Sequence, residues 1–199
     1  MISKIVIFTD LDGTLLHNKT FKFENIRQYI KNLLSKNISI IPNSSKTKAE
    51  ILNFCQELEE ELPFIVENGA AIYKMNLVNS DFPEKIILSR DKEEILNVFF
   101  KKIPKELISK CEFVLKLKKD EQLKIFGLSE KHLIYASERE FSVPLIFKGN
   151  KVEKNKLFRL TYNMGLTMQE GGRVINLSDQ VSKSSAMKKV SRIFEKTEK

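Results

Sequence analysis

The first predicted strand of the chain ends in two acids. An apolar run within residues 4–8, "IVIF", stops at Thr9 and is followed by Asp10 and Asp12. This β-branched and aromatic run has no polar alternation, which predicts a parallel strand covered on both faces. Two carboxylates so close together repel each other and are costly to desolvate unless a cation or hydrogen bonds compensate them. The chain must therefore fold so that the end of a buried strand tolerates two like charges.

Strand and helix patterns alternate through the first third of the chain. Apolar residues at helical spacing predict a helix over 24–36, and "ISIIP" predicts a strand over 38–42. Thr47 is the predicted N-cap of a second helix, with Glu50 at the spacing of a capping box. The segment 63–73, "PFIVENGAAIY", predicts a short strand, an Asn-Gly turn and a returning strand. This order of elements begins a doubly wound parallel sheet.

The pattern changes at about residue 82. Strands are predicted at "EKIILS" and "EFVLKLK", helices at "DKEEILNVFFKKI", "SEKHLIYASERE" and "VEKNKLFRLTYNM", and a hairpin at "LTMQEGGRVINL". We therefore predict an α/β core made of residues 1–81 and 179–199. A separate small α+β unit, residues 82–178, is predicted to be inserted into it. The final stretch, "SDQVSKSSAMKKVSRIFEK", predicts a helix that rejoins the core.

Charge and cysteine usage restrict the partners and the compartment. The chain has 34 Lys+Arg against 26 Asp+Glu, a net charge of +8, but its lysines are scattered and form no basic block interleaved with aromatics. We therefore expect no nucleic-acid partner. Cys55 and Cys111 are far apart and predict neither a zinc site nor a disulfide framework, which fits a reducing cytoplasm. No segment approaches the ~18 apolar residues of a membrane span, so we expect a cytoplasmic protein without a membrane partner; the oligomeric state is not predicted.

The acids at the end of the first strand suit phosphoryl chemistry. In open α/β sheets, ligands bind beyond the carboxyl ends of the strands. Mg²⁺ binds one or two carboxylates together with water and phosphate oxygens, so Asp10 and Asp12 are candidate metal ligands. With a metal bound, Asp10 could act as a nucleophile on phosphorus, and Asp12 as the acid and base of the two steps. The structural alternative is that either acid only caps a turn or the start of a helix.

Several segments resemble a known family. "DLDGTLL" after a hydrophobic strand resembles the first motif of the haloacid-dehalogenase superfamily, and "NSSKTKAE" resembles its second motif. "PFIVENGAAI", "REFSVPLIF" and "GLTMQEGGRVINL" resemble segments of the mannosyl-3-phosphoglycerate phosphatase family, whose relatives act on the glucosyl analogue. The resemblance covers nearly all of residues 4–188. It implies a Rossmann-like core with an inserted α/β cap, Mg²⁺ dependence and hydrolysis of a phosphorylated glycosylglycerate.

The resemblance also implies catalytic roles. Asp10 matches the nucleophile and a metal ligand, and Asp12 matches the general acid/base, whose backbone carbonyl is a second metal ligand. Ser44 matches the hydroxyl that hydrogen-bonds the transferring phosphoryl group. Lys183 matches the lysine that neutralises the charges of the phosphate and Asp10. A turn or helix cap is the alternative role for Ser44, and a solvated helix position is the alternative for Lys183.

A second group of residues is predicted to contact the substrate. Some follow the second and third strands, and the others lie in the inserted unit, where a guanidinium fork would suit a glycerate carboxylate. They are Ser45, Lys46, Thr47, Glu67, Asn68, Arg139, Gly171, Gly172 and Arg173. Structural alternatives remain open: an N-cap for Thr47, a turn for Asn68, and a favourable cation at a helix C-terminus for Arg139. A plain hairpin turn explains the two glycines.

The sequence departs from the family after Lys183. The resemblance implies a fourth, acidic motif, G-D-x-x-N-D-like, on a further strand that pairs with the first strand and supplies another metal carboxylate. No such motif lies between Lys183 and Lys199. We therefore expect an incomplete core sheet and little phosphatase activity from these 199 residues alone. The alternatives are a catalytically silent phospho-sugar binding module, a related phosphatase such as one acting on sucrose phosphate, and an unfolded gene fragment.

Overall fold

Helices and strands divide between two units of the chain. The computed structural model describes residues 5–17 and 23–197. The first unit comprises Met1–Leu88 and Ser182–Lys199, and the second comprises Ser89–Val181. The second unit is thus inserted in sequence into the first. The sequence analysis placed these boundaries near residues 82 and 178, and the role of the second unit as a cap remains a prediction.

A parallel pair of strands forms the base of the first unit. Strand β1 (Ile5–Thr9) pairs along its whole length with β2 (Ile38–Pro42), and helix α1 (Glu24–Ser35) lies between them in sequence. These three elements confirm the sequence-based predictions. Because side chains alternate across a strand, Val6 and Phe8 face an apolar core cluster. On the other face Ile5 is 56% exposed and Ile7 is 36% exposed, so the prediction of a strand covered on both faces is wrong for the described residues.

Helix α2 (Lys48–Leu58) starts at the predicted capping box. The Thr47 hydroxyl accepts a hydrogen bond from the Glu50 backbone N–H at 3.1 Å, and the Glu50 carboxylate accepts one from the Thr47 N–H at 2.9 Å. This reciprocal pair satisfies two of the N–H groups that a helix start leaves without intrahelical partners. The helix ends at Glu59, which adopts a left-handed conformation.

A small antiparallel sheet follows α2. It consists of β3 (Phe64–Val66), β4 (Ala71–Tyr73) and β5 (Lys85–Ile87) in that order. The predicted hairpin between β3 and β4 is confirmed. Strand β5, from the segment "EKIILS", pairs with β4 and so belongs to the first unit rather than to the inserted one.

The last helix rejoins the first unit, as predicted. Helix α8 (Lys183–Thr197) buries Ala186 and Val190 in a cluster with Ile41, Ile65 and other side chains of the strands. Burying apolar side chains of this kind contributes about 25 cal/mol for each Å² removed from water. Residues at the two ends of the sequence therefore share one core.

The second unit contains a four-stranded antiparallel sheet and five helices among its described residues. The strands, in the spatial order β6-β7-β9-β8, are β6 (Cys111–Phe113), β7 (Ser142–Phe147), β8 (Leu166–Glu170) and β9 (Ile175–Asp179). The helices are α3 (Lys92–Lys102), α4 (Lys105–Ile108), α5 (Lys119–Phe126), α6 (Glu130–Ser137) and α7 (Lys151–Asn163). Within the described ranges no helix has the length and apolar character needed to cross a bilayer.

The core of the second unit explains where its strands differ from the prediction. Ile95, Phe99 and Leu157 of α3 and α7 pack with Leu145 and Leu177 on one face of the sheet. The predicted strand "EFVLKLK" is shorter than expected, because a 3₁₀ turn over Val114–Lys116 ends it. Val114 is fully buried with Phe126 and Leu133 in a second cluster. Burial in this second cluster therefore takes precedence over strand propensity at that point.

An ion pair joins the two ends of the inserted segment. The Arg90 side chain contacts both carboxylate oxygens of Asp179, with Nε–Oδ2 at 3.0 Å and Nη2–Oδ1 at 2.7 Å. Nη2 also donates to the Gly165 carbonyl at 2.9 Å. The hydrogen bonds from Arg90 lower the pKa of the Asp179 carboxyl, and this two-point contact fixes both side chains.

The Arg90–Asp179 pair predicts a pH-dependent stability. Because the folded pKa is lowered, its stabilisation is present above the unfolded pKa of about 3.9 and is lost as the pH falls through the folded value. At pH 7, Asp179→Asn should lower the free energy of unfolding by about 2 kcal/mol, and this difference should shrink towards pH 3. Urea unfolding across pH 3–7 measures it. Arg90→Gln should remove the same pH-dependent part of the free energy of unfolding. If the difference between wild type and either variant stays constant with pH, the stabilisation does not come from the Arg90–Asp179 pair.

A glycine is required where β3 turns into β4. Gly69 has φ +101°, and a Cβ placed there would lie 2.2 Å from the Ser182 carbonyl oxygen, just before α8. L-residues rarely adopt this conformation, and the contact is with backbone that cannot rotate away. The Gly69 backbone thus allows the close approach between this turn and the start of α8.

Gly69→Ala should strongly destabilise the first unit. The left-handed strain and the clash with Ser182 together should cost about 3 kcal/mol. Gly172→Ala is the matched control, because a Cβ on Gly172 meets nothing within 4 Å. Thermal and urea unfolding of both variants measure the effect. Equal stabilities of the two variants would show that the close approach at Gly69 is not needed.

Candidate active site

The predicted catalytic residues of the first unit meet at the carboxyl ends of its strands. Asp10 follows β1, and Ser44 lies two residues beyond β2. The Asn43 N–H donates to the Thr9 carbonyl at 2.8 Å, which extends the parallel pairing one step past β2. Ser44 donates its N–H to the Ile65 carbonyl of β3 at 3.1 Å. These backbone contacts hold the ends of three strands together.

Asp10 is fixed by contacts to both oxygens of its carboxylate. Its Oδ1 accepts the Leu11 N–H at 2.8 Å, and its Oδ2 lies 2.8 Å from the Lys183 Nζ. The Asp10 side chain is 42% exposed and that of Lys183 is 33% exposed, so the pair faces solvent. Lys183 is the first residue of α8, and its placement beside Asp10 matches the pairing that the sequence analysis expected for them.

Asn43 ties this lysine to the end of β2. Its Nδ2 donates to the Lys183 backbone carbonyl at 3.0 Å, across 140 positions of sequence. Asn43 is buried, and its Oδ1 has no hydrogen-bond partner among the described residues. Asn43 is not among the residues predicted for the site. Its position directly after a buried strand, inside "PNSSKT", is the sequence feature that could have indicated a place in the site.

Lys46 links Asp12 to Glu50. Its Nζ lies 3.1 Å from Asp12 Oδ1 and 3.2 Å from Glu50 Oε1, and only 11% of its side chain is exposed. Burial acts to lower the pKa of the Lys46 ammonium, but the negative charges of Glu50 and Asp12 outweigh it and raise the pKa above its usual value. Lys46 therefore stays charged. The structure places its ammonium on protein carboxylates, whereas the sequence analysis predicted a substrate contact.

The other predicted residues near the strand ends have visible structural contacts. Ser44 is fully buried, and its Oγ accepts the Lys46 N–H at 3.3 Å. Thr47 is also fully buried and is the N-cap of α2, while Ser45 is half-buried. The N-cap role proposed for Thr47 is thus observed. Roles of these side chains toward a substrate stay predictions.

Glu67 and Asn68 adopt an uncommon backbone conformation. Their φ angles are 45° and 61°, in the left-handed region, directly before Gly69. The Glu67 N–H donates to the Lys46 carbonyl at 3.0 Å, and the Asn68 N–H donates to the Ser44 carbonyl at 2.9 Å. Non-glycine residues in this region carry strain that the surrounding structure must offset. The turn is thus held against the segment after β2, where Ser44 and Lys46 lie.

The remaining predicted residues lie in the second unit. Arg139 is 8% exposed, and its Nη1 donates to the Ser142 hydroxyl at 2.9 Å. Gly171, Gly172 and Arg173 form the turn of the predicted hairpin between β8 and β9, which is confirmed. The Arg173 guanidinium lies over Gly127, where a Cβ would be 2.6 Å from Nη1. The structure thus gives Arg139 and Arg173 local contacts, and their contacts to a substrate stay predictions.

The donor atoms at the end of β1 suit a hard cation. Among the residues that the structure describes, no group of three or more His, Cys, Asp or Glu side chains could hold a metal ion. Mg²⁺ needs fewer protein ligands, because it keeps several waters and binds through one or two carboxylates plus phosphate oxygens. The Asp10 carboxylate and the Asp12 backbone carbonyl offer oxygen donors of this kind, so the residues present fit Mg²⁺.

Comparison with known proteins identifies the family. The model of the haloacid dehalogenase-like hydrolases matches residues 7–196. The chain belongs to this family. The match includes Asp10, Ser44 and Lys183, and it confirms the resemblance that the motifs indicated.

Curated relatives have more specific names. The chain is 32% identical over 204 residues to a glucosyl-3-phosphoglycerate/mannosyl-3-phosphoglycerate phosphatase of Persephonella marina, covering 96% of this chain and 73% of the relative. It is 31% identical over 204 residues to a mannosyl-3-phosphoglycerate phosphatase of Pyrococcus furiosus, covering 97% of this chain and 79% of the relative. These relatives bear out the likeness to the mannosyl-3-phosphoglycerate phosphatases.

Solved structures confirm the fold class. A haloacid dehalogenase-like hydrolase from Bacteroides thetaiotaomicron superposes with a TM-score of 0.66 at 13% identity, covering 96% of this chain and 77% of that one. A haloacid dehalogenase-like hydrolase from B. subtilis gives a TM-score of 0.59 at 16% identity, covering 96% and 79%. At these identities the likeness shows the fold alone, which is the predicted α/β fold with a Rossmann-like core.

Proposed function

We propose that the chain is a Mg²⁺-dependent phosphatase that hydrolyses mannosyl-3-phosphoglycerate or glucosyl-3-phosphoglycerate to the glycosylglycerate and phosphate. One observation carries the proposal. The Asp10 carboxylate stands at the end of a strand, with its Oδ1 held by a backbone N–H and its Oδ2 beside the Lys183 ammonium. An oriented carboxylate next to a cation suits nucleophilic attack on a phosphate monoester.

The reaction is proposed to run in two balanced steps. In the first, an oxygen of Asp10 bonds to phosphorus as the ester P–O bond breaks, and Asp12 gives a proton to the departing alkoxide. In the second, Asp12 takes a proton from water, whose oxygen bonds to phosphorus as the bond to Asp10 breaks. Lys183 offsets negative charge on the phosphoryl oxygens in both steps. The products are the alcohol and orthophosphate, and Asp10 is regenerated.

Mg²⁺ would be held by the Asp10 carboxylate and the Asp12 carbonyl. When bound, it would supply charge neutralisation for the phosphoryl group. The protein's own contribution is to fix the two aspartates. Ser44 is proposed to donate its hydroxyl proton to a phosphoryl oxygen, which requires that its buried Oγ lie within reach of the bound phosphate.

The substrate class comes from the relatives and not from the site. The phosphatases of Persephonella marina and Pyrococcus furiosus are named for glycosyl-3-phosphoglycerates. We extend this class to the present chain, with Arg139 and the turn Gly171–Arg173 as proposed contacts. A cytoplasmic location is part of the proposal, since Cys55 and Cys111 are free thiols.

Asp10→Asn should abolish phosphate release. The amide cannot form the acyl phosphate, so release from mannosyl-3-phosphoglycerate with Mg²⁺ should fall to the level without enzyme. The assay uses micromolar protein, long incubation and a phosphate-specific readout. Asp81→Asn is the matched control, because Asp81 is an exposed acid of the same unit. Equal release by wild type and Asp10→Asn, both above the blank, would contradict the mechanism.

Comparing substrates separates the remaining functions. Release from the mannosyl or glucosyl compound well above release from sucrose phosphate supports the proposed substrate class, and the reverse order favours a different sugar-phosphate phosphatase. Binding of these compounds without any release favours the catalytically silent module. Omission of Mg²⁺ should stop release, and full activity in the presence of a chelator would overturn the proposed metal dependence.

A further inference from the structure

We propose that Lys46 is a positioning residue for Asp12, and that Glu50 of the α2 capping box holds Lys46 in place. The proposal rests on the function proposed above, in which Asp12 is the acid and base. It reassigns Lys46 from contacting the substrate to orienting a catalytic side chain. It also gives Glu50, which the sequence indicates only as a capping residue, a second role.

The Glu50 carboxylate is fixed from two sides. Oε2 accepts the Thr47 N–H at 2.9 Å, while the Glu50 backbone N–H is bonded to the Thr47 hydroxyl at 3.1 Å. Only 13% of the Glu50 side chain is exposed. The capping box thus leaves Oε1 pointing at Lys46 Nζ, 3.2 Å away.

The ammonium of Lys46 lies between two carboxylates. Nζ is within 3.2 Å of Glu50 Oε1 and within 3.1 Å of Asp12 Oδ1, and the side chain is 11% exposed. A buried ammonium is costly unless it is paired, so leaving either carboxylate would forfeit a contact with little water to replace it. Lys46 therefore transmits the fixed position of Glu50 to Asp12.

Lys46 contacts one of the two oxygens of Asp12. Oδ1 is a buried atom that forms an ion pair with Lys46 Nζ at 3.1 Å and accepts no hydrogen bond from the described residues, whereas 36% of the whole Asp12 side chain is exposed. Because Oδ1 contributes almost none of that exposure, the exposed surface belongs to the remaining atoms of the side chain, and we assign the proton transfer to Oδ2. Holding Oδ1 against Lys46 leaves Oδ2 to give and take the proton. Acid–base catalysis depends on such placement, because the proton must move over hydrogen-bond distance.

The first test replaces the lysine by a neutral side chain of similar length. Lys46→Met should lower kcat for the glycosyl-3-phosphoglycerate by at least about tenfold, as part of the ~10²–10⁴-fold that acid–base catalysis contributes, with KM little changed. Lys46→Arg restores the positive charge and should recover part of kcat. A raised KM with unchanged kcat would instead mean that Lys46 binds the substrate, and this outcome overturns the proposal. An unchanged kcat and KM overturns it as well.

The second test separates the two roles of Glu50. Glu50→Gln keeps an oxygen for the Thr47 N–H, since glutamine also serves in capping boxes, but its amide N–H groups then face Lys46. It should lower kcat, and because Lys46 loses one of its two carboxylate partners it should also lower the unfolding temperature, so kcat is measured well below that temperature. The matched control is Glu94→Gln in the Asp91/Glu94 capping box of α3, which has the same reciprocal hydrogen bonds. Equal kcat values for Glu50→Gln and Glu94→Gln overturn the role of Glu50.

A structural readout makes the test independent of turnover. Crystal structures of wild type, Lys46→Met and Glu50→Gln should show the Asp12 carboxyl in its wild-type conformation only when Lys46 and Glu50 are both present. If wild type releases no phosphate from any ester, the proposed function fails, and these structures alone decide the positioning. An unchanged Asp12 conformation in Lys46→Met would then overturn the inference.

Discussion

Each carboxylate at the end of β1 is matched by one lysine ammonium. Asp10 Oδ2 lies 2.8 Å from Lys183 Nζ, and Asp12 Oδ1 lies 3.1 Å from Lys46 Nζ. Without these partners, two acids one residue apart would destabilise the strand end through mutual repulsion and desolvation. The matching lysines come from the segment after β2 and from the last helix. The two ion pairs therefore require the fold to bring three distant segments of the first unit to one point.

Backbone contacts provide this convergence. The Asn43 N–H extends the β1–β2 pairing to the Thr9 carbonyl, and the Asn43 side chain bonds the Lys183 carbonyl. The close approach of Gly69 to Ser182 seats the first turn of α8 beside the hairpin turn. The apolar residues Ala186 and Val190 then anchor the rest of that helix in the core. The convergence therefore depends on the small size of Gly69 and on the side-chain hydrogen bond of Asn43 as well as on backbone pairing.

The sequence predicts the elements of the site better than its contacts. Short motifs predict Asp10, Ser44 and Lys183. The hydrophobic residues around these motifs recur at clear strand or helix spacing, which predicts the elements that carry them. The Asp12–Lys46–Glu50 contacts do not follow, because a capping box is a local pattern and does not show what else the glutamate touches. Strand β5 was correctly predicted as a strand but placed in the inserted unit, and the turn at Val114 was predicted as strand, since short apolar runs do not reveal which neighbour will bury them. Local sequence patterns thus predict the helices and strands, whereas the role of each side chain depends on its tertiary contacts.

The charges of the site bear on how a substrate would bind. In the proposed first step Asp12 is protonated, so the negative charges of this cluster are those of Asp10 and Glu50. The two ammonium groups of Lys46 and Lys183 balance them and leave no net positive charge for a substrate. A phosphate monoester adds up to two more negative charges, which two lysines already engaged with carboxylates offset only in part. A divalent cation bound with the ester would offset most of this added charge. The Mg²⁺ that we propose for this reaction would therefore offset charge in the first unit as well as on the transferring phosphoryl group.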